Sequence, residues 1–303
     1  MGPTLTGAGG SGWVLAAHGG AGDGIARLSP ERRRAADRGL RAALRGGADL
    51  LARERSAVDA VVAAVKVLED AAEFNAGRGS VLTEDGTVET DAAVADGRRR
   101  RAGAVAAGRG VRNPVEAARA VMERTEHVLV AGDAVARLAE RWGLELEPEE
   151  WFVTDNAREQ LRRALAPGET VGAVARDRDG HLAAAASTGG RVAQLRGRVG
   201  DSPVIGAGIW ADDRTCAVSA TGQGEAFVMA AFAHEVDARM RLSGAGIAAA
   251  CDGALQAVSA RGGKGGCIAV DAAGNLAMPF TTAGMFRGFT DASGEMVTAA
   301  VRE

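Results

Sequence analysis

Four short polar patches, each flanked by glycine and beside an apolar run, carry the residues of this chain best suited to chemistry. They are Gly168-Glu169-Thr170-Val171-Gly172-Ala173-Val174-Ala175, Ser187-Thr188-Gly189-Gly190, Gly197-Arg198-Val199-Gly200-Asp201-Ser202-Pro203 and Ala220-Thr221-Gly222-Gln223-Gly224-Glu225. The pattern reads as strand ends converging on one pocket, with Thr170 at its centre. A threonine hydroxyl is a weak nucleophile without a base beside it, and no sequence neighbour offers one; His181 falls in a returning strand, where it packs or faces solvent. The chain itself can supply the base. If the Glu169–Thr170 bond breaks, residue 170 gains an α-amine, whose ordinary pKa of about 7.7–8.0 suits general-base work near neutrality. In the unbroken chain that nitrogen is an amide without useful basicity. The β-methyl also restricts χ1, which holds the hydroxyl in one attacking position. A threonine opening a strand is otherwise ordinary β-propensity, so residue type alone does not decide.

Composition narrows the field. The chain has 303 residues, 47% hydrophobic and 25% charged, with a net charge of −3, which is an ordinary globular balance. It gives no reason to expect nucleic acid or a membrane surface as partner. The basic run Gly97-Arg98-Arg99-Arg100-Arg101 reads as a solvated turn. Three scattered cysteines, Cys216, Cys251 and Cys267, and four distant histidines point away from a disulfide framework or a zinc site. Cytosolic, metal-free chemistry is the expectation. No apolar run is long enough to span a bilayer, and residues 1–12 read as a floppy tail with no signal-peptide character. Gly7-Ala8-Gly9-Gly10-Ser11-Gly12 fits GxGxxG by letter, but no strand precedes it, so the dinucleotide reading fails.

The elements that must position the patches follow from period and caps. A buried strand at 13–17 ends in His18-Gly19-Gly20-Ala21-Gly22. Ser29-Pro30 opens a helix to about Arg45, and Ser56-Ala57-Val58-Asp59 opens a second to Leu68. Strands are expected at 87–94 and 102–107, and helices at 113–125 (capped by Asn113), 132–142 and 155–165. Then come a hairpin, 170–176 and 181–186 around Asp177-Arg178-Asp179-Gly180, and strands at 205–210 and 216–220. Helices at 225–240 and 247–260 and a last hairpin at 267–278 complete the reading. Strands grouped with strands and helices with helices predict a layered α+β domain.

These patches, together with His18-Gly19-Gly20-Ala21-Gly22, Phe74-Asn75-Ala76-Gly77-Arg78-Gly79-Ser80, Asp91-Ala92-Ala93-Val94-Ala95-Asp96-Gly97 and Gly284-Met285-Phe286-Arg287-Gly288, resemble the plant-type L-asparaginase/isoaspartyl peptidase family of N-terminal-nucleophile hydrolases. The match runs in order from Trp13 to near the end of the chain. The resemblance implies an αββα four-layer sandwich and self-cleavage into 13–169 and 170–303, the two forming one domain and pairing as an (αβ)₂ homodimer. It implies hydrolysis of L-asparagine or β-aspartyl dipeptides without a catalytic cofactor. Thr170 would be the nucleophile and its freed amine the base, with Thr188 supporting it. Thr221 and the Gly222 N–H would form the oxyanion hole. Arg198 would grip the substrate α-carboxylate, Asp201 its α-ammonium, and Asn75 would lie near the nucleophile. By the same resemblance, the carbonyls of Leu68, Glu69, Ala71, Phe74, Ala76 and Arg78 would hold a structural sodium ion, a hard cation suited to oxygen.

The chain departs from the family in placing Glu169 before the nucleophile, where members with this activity usually have glycine. Glycosylasparaginases and threonine aspartases carry an aspartate there, so a carboxylate does not forbid cutting. The stretch before Thr170 is also short. These departures keep open an uncleaved, silent amino-acid binder, while the Arg198/Asp201 clamp, which would be shared, keeps open a glycosylasparaginase-like amidase.

Overall fold

A computed structural model describes residues 12–163 and 170–301. Strand β1 (Val14–Gly22) leads into helices α1 (Pro30–Ala52) and α2 (Ala57–Asp70). Each helix is capped by a serine hydroxyl that accepts an N–H three residues on: Ser29 from Arg32, Ser56 from Asp59. Then come β2 (Thr90–Asp96), β3 (Arg101–Gly108), α3 (Pro114–Arg124), β4 (Leu129–Ala131), α4 (Asp133–Arg141), α5 (Glu149–Phe152) and α6 (Asp155–Arg162). Beyond Thr170 lie β5 (Val171–Arg176), β6 (Leu182–Thr188), β7 (Ile209–Ala211) and β8 (Cys216–Gly222), then α7 (Gly224–Ala230), α8 (Phe232–Ser243) and α9 (Ile247–Ser259). Strands β9 (Gly265–Asp271), β10 (Leu276–Ala277), β11 (Gly284–Asp291) and β12 (Met296–Val301) follow.

Among the described residues the strands form two sheets, in the orders β12–β11–β1–β5–β6–β2–β3–β4 and β10–β9–β8–β7. Side chains alternate across each strand, and the alternation builds the layers. Leu15, Ala17, Val171, Ala173, Ala183 and Ala185 face α1, α2 and α3 in one core. Val14, Ala16, Val174, Ala184 and Ala186 meet Ile209, Ala217, Ile268 and Val270 between the sheets. Val218, Ala220 and Ala269 pack on Phe227, Phe232 and Ala254 beneath the remaining helices. This is the expected α+β fold, an αββα sandwich. Strand β5 runs between β1 and β6 near the middle of the larger sheet, so elements from both sides of residue 170 share one hydrogen-bonded ladder. A break in front of Thr170 would leave the two pieces bound together.

Several elements differ from the sequence reading. Helix α1 runs past Arg45 through Gly46-Gly47, because Gly47 is a packing contact: a Cβ there would lie 2.6 Å from Leu15 Cδ2 and 2.8 Å from Ala60 O. The expected helix over 225–240 is two, broken at Ala231, whose φ is +45°. The strand expected at 205–210 begins only at Ile209, since the main chain before it folds back on Asp201: Val204 N and Gly208 N both donate to its carbonyl. Asn113 makes no side-chain cap; the buried Glu69 carboxyl accepts the Val115 N–H at 3.0 Å instead. Strands β11 and β12 were not anticipated. The expected helix over 155–165 extends to Arg162, and its last residues lie outside the described ones.

At Gly172 the two sheets press together. An added Cβ would collide with Ser219 Oγ and lie 2.6 Å from His18 Nε2 and 2.9 Å from Ala185 O. Gly172→Ala should therefore lower Tm by about 6–10 °C in a thermal melt, as overpacking of a tight interior does. An unchanged Tm would mean the sheets separate easily here.

Candidate active site

Thr170 heads β5 and is 5% exposed. Its Oγ1 lies 3.1 Å from Ser202 Oγ, and its N–H donates to Thr221 Oγ1 at 3.3 Å. Ala21 N, at the end of β1, donates to the same oxygen at 3.3 Å. A hydroxyl has two lone pairs and one O–H. With both lone pairs taken by main-chain donors, the Thr221 O–H is left to donate, the requirement for an oxyanion-hole group. Gly222 follows it, and a Cβ there would lie 2.6 Å from Gly265 Cα and collide with Lys264 O, so only glycine permits this approach.

Val171 pairs with Ser187 across β5 and β6, which places Thr188 opposite Thr170. Thr188 Oγ1 accepts the Gly190 N–H at 3.0 Å. Asn75 braces the same turn: its Nδ2 donates to Gly190 O at 2.8 Å, and its Oδ1 accepts the Val81 N–H at 2.8 Å. Glu169 and the bond it forms with Thr170 lie outside the described residues.

Arg198 and Asp201 lie in the long loop between β6 and β7. Arg198 reaches Glu225 Oε1 through Nη2 at 2.9 Å and Nε at 3.2 Å, and Arg191 lies 3.7 Å from the same carboxylate. Asp201 is 2% exposed and its Oδ2 has no hydrogen-bond partner. Gly224 lies against both: a Cβ there would be 2.9 Å from Asp201 Oδ1 and 3.0 Å from Arg198 Nη2. The Arg198 guanidinium, held by Glu225, and the Asp201 carboxylate, whose Oδ2 is unpartnered, therefore meet over one glycine, an arrangement suited to a group bearing both a carboxylate and an ammonium. Burial pushes the Asp201 carboxyl up to about 7; the Arg198 charge opposes the rise, and Glu225 and Asp91 add to it. A shallow recess of about 480 Å³ beside the clamp is lined by Arg191, Gln223, Glu225 and Met229. A cleft of about 680 Å³ lies instead at the far end of β5, around the 177–181 turn and Arg98-Arg99.

Three further residues, Ser202, His18 and Ser219, belong to the site. Ser202 pairs with Thr170, and its only signal in the sequence is adjacency to Asp201. His18 Nε2 lies 2.9 Å from Ser219 Oγ, bridging the two sheets beside Thr170. Burial pushes its pKa down to about 3, opposed by the Thr170 main chain, so the imidazole is neutral. Its place in alternation with Val14 and Ala16 gives the one hint that it points between the sheets. His181 forms a separate pair with Asp213, Nδ1 to Oδ2 at 2.8 Å.

The loop after α2 winds its carbonyls inward. A Cβ on Gly77, whose φ is +51°, would lie 2.5 Å from Glu69 O, and one on Gly79 would collide with Phe74 O. The carbonyls of Leu68, Ala71 and Ala76 each accept one main-chain N–H, which leaves a second lone pair on each. One oxygen of the buried Glu69 carboxyl is taken by the Val115 N–H of α3 while Oε2 has no hydrogen-bond partner, and the Arg78 guanidinium lies 5.9 Å over the Trp151 ring. The free lone pairs of these neutral carbonyls are a donor type that suits a hard monovalent cation. Among the described residues no cluster of His, Cys, Asp and Glu could hold a metal ion, and no helix is long and apolar enough to cross a membrane.

An αββα sandwich with a threonine at the head of a central strand and hydroxyl donors around it has the architecture of the N-terminal-nucleophile hydrolases. The family model described as Asparaginase matches residues 11–299, and the chain belongs to that family. Among its relatives, an isoaspartyl peptidase of Salmonella typhimurium is 44% identical over 96% of this chain and 99% of its own. A plant-type L-asparaginase of Pyrobaculum calidifontis is 44% identical over 91% and 96%. An isoaspartyl peptidase/L-asparaginase of Danio rerio is 41% identical over 89% of each chain.

Proposed function

We propose that this protein is a self-processing threonine amidohydrolase that converts β-aspartyl dipeptides and L-asparagine to aspartate plus an amine or ammonia. The relatives' names support the substrate class. The observation that carries the reading is the meeting of Thr170 and Thr221, whose hydroxyl lone pairs are occupied so that its O–H points onward as a donor.

Once the Glu169–Thr170 bond is broken, the Thr170 amine takes the proton from Oγ1, and Oγ1 attacks the side-chain carbonyl of the substrate. The Thr221 O–H and the Gly222 N–H stabilise the oxyanion. The tetrahedral species collapses, the leaving nitrogen takes the proton from the Thr170 ammonium, and ammonia or the amine departs. Water, deprotonated by the same amine, then opens the ester and releases aspartate. Arg198 and Asp201 hold the α-carboxylate and α-ammonium throughout. Within this reading a sodium ion held by the 68–78 carbonyls stiffens the loop that carries Asn75, two αβ units pair as a homodimer, and the enzyme is cytosolic.

Ammonia release from L-asparagine and amine release from a β-aspartyl dipeptide test the reaction directly. The processed protein should turn over at least one of them, and Arg198→Ala should raise KM about 100-fold, as loss of a charge-assisted fork does. Processed protein silent on both substrates would contradict the reading.

The Asp201 carboxyl sets a pH signature. Only its ionised form holds an ammonium, so kcat/KM should fall about tenfold per unit below pH 7. Bound substrate favours the ionised form, so the acid limb of kcat should lie lower. For stability the sign is opposite. An acid raised in the folded state binds more protons folded than unfolded between its ordinary pKa and about 7, so its contribution weakens as pH rises through that window. Asp201→Asn should melt about 5 °C higher at pH 8 while losing activity. A lower Tm would show that the carboxylate is satisfied in place.

A further inference from the structure

The clamp residues sit on a loop without regular structure, and the main chain on either side of Arg198 is tied to two carboxylates at the head of β2. Glu89 is 6% exposed, and its Oε2 accepts the Gly197 N–H at 2.7 Å. Asp91 is 3% exposed, and its Oδ2 accepts the Gly200 N–H at 3.4 Å, while its Oδ1 accepts the Ala107 N–H at 2.7 Å. The two acids stand two residues apart along an extended chain, the spacing that returns a side chain to the same face. The N–H groups they bind bracket Arg198-Val199. Gly197 turns the loop at φ +76°, and a Cβ on Gly200 would lie 2.9 Å from Arg198 Nη1, so the guanidinium folds back over the loop the acids anchor. Ala107, the other donor to Asp91, is held at φ +48°, which ties the anchor to the irregular end of β3. Arg196, 3.8 Å from Glu89, is half in solvent and leaves the buried oxygen to the main chain. No part of the reaction uses Glu89 or Asp91, and neither reaches the reacting atoms; their placement makes sense as scaffolding for the clamp.

We propose that Glu89 and Asp91 are positioning residues of the head-group clamp: by fixing the main chain at Gly197 and Gly200 they set where the Arg198 guanidinium meets the substrate α-carboxylate. The inference rests on the reading of Arg198 as the carboxylate binder. Glu89→Leu removes the acceptor, and Glu89→Gln keeps a carbonyl oxygen in its place. In processed protein, Glu89→Leu should raise KM for L-asparagine and for a β-aspartyl dipeptide about tenfold with kcat within about threefold, and Glu89→Gln should restore most of the loss. Because the effect runs through Arg198, adding Glu89→Leu to Arg198→Ala should raise KM no further. An equal rise in both backgrounds, or a fall in kcat alone, overturns the inference while the clamp stands. An Arg198→Ala enzyme with the wild-type KM overturns the clamp reading and the inference with it. If Glu89→Leu does not fold, Asp91→Asn, which can accept only one of the two N–H groups, carries the same expectation, and an unchanged KM in that variant overturns it.

Discussion

Thr170→Ala should lower turnover of asparagine and of a β-aspartyl dipeptide by about 10⁵–10⁶-fold, the scale of losing a nucleophile that acts as a unit with its base. The size of the effect follows from two losses at one position. The hydroxyl goes, and so does the reason for the chain to break, which removes the α-amine. Ser202 Oγ lies within 3.1 Å of the Thr170 hydroxyl, but it follows Asp201 inside a loop and bears no amine, so it cannot replace both functions. Thr170→Ser keeps a hydroxyl and an amine and loses only the methyl that restricts χ1; it should process and retain measurable activity. A Thr170→Ala protein that hydrolyses within tenfold of wild type would show that another residue attacks.

Thr221→Val should cost about 10²–10³ in kcat with a much smaller change in KM, the effect of removing one preorganised oxyanion donor. The split matters. Thr221 Oγ1 accepts from Thr170 N and Ala21 N, so valine also leaves two main-chain donors short of an acceptor in a buried place, and some loss of stability goes with it. Measuring kcat on folded, processed protein separates the two. If KM rises and kcat holds, Thr221 binds the substrate and does not stabilise its transition state.

The site was legible where its residues sit in glycine-flanked strand ends. Thr170, Thr188 and Thr221 mark themselves because a short apolar run ends or begins at each, and the structure brings all three to one end of the sandwich. The hairpin around Asp177–Gly180 was equally clear, since turn chemistry sets its register even though β6 is mostly alanine, a sequence with little strand character of its own. What escaped depends on distance along the chain. His18 and Ser219 are 201 positions apart, and no local spacing joins them. Glu89 falls inside the strand expected at 87–94, and nothing local joins it to Gly197, whose N–H it binds 108 positions away. Helix α1 runs beyond the expected end near Arg45 because Gly47 admits Leu15 and Ala60, contacts that no local pattern reveals. Asn75, expected near the nucleophile, binds Gly190 and Val81 with its amide and so braces the turn that follows Thr188.

Everything proposed for the reaction depends on Thr170 beginning a chain. Intact-mass measurement of the purified protein, without any added protease, reports this directly: pieces of 169 and 134 residues, the second opening at Thr170, are expected to account for the active material, and Thr170→Ala should run as a single chain. Full activity residing in an unbroken chain of 303 residues would contradict the account.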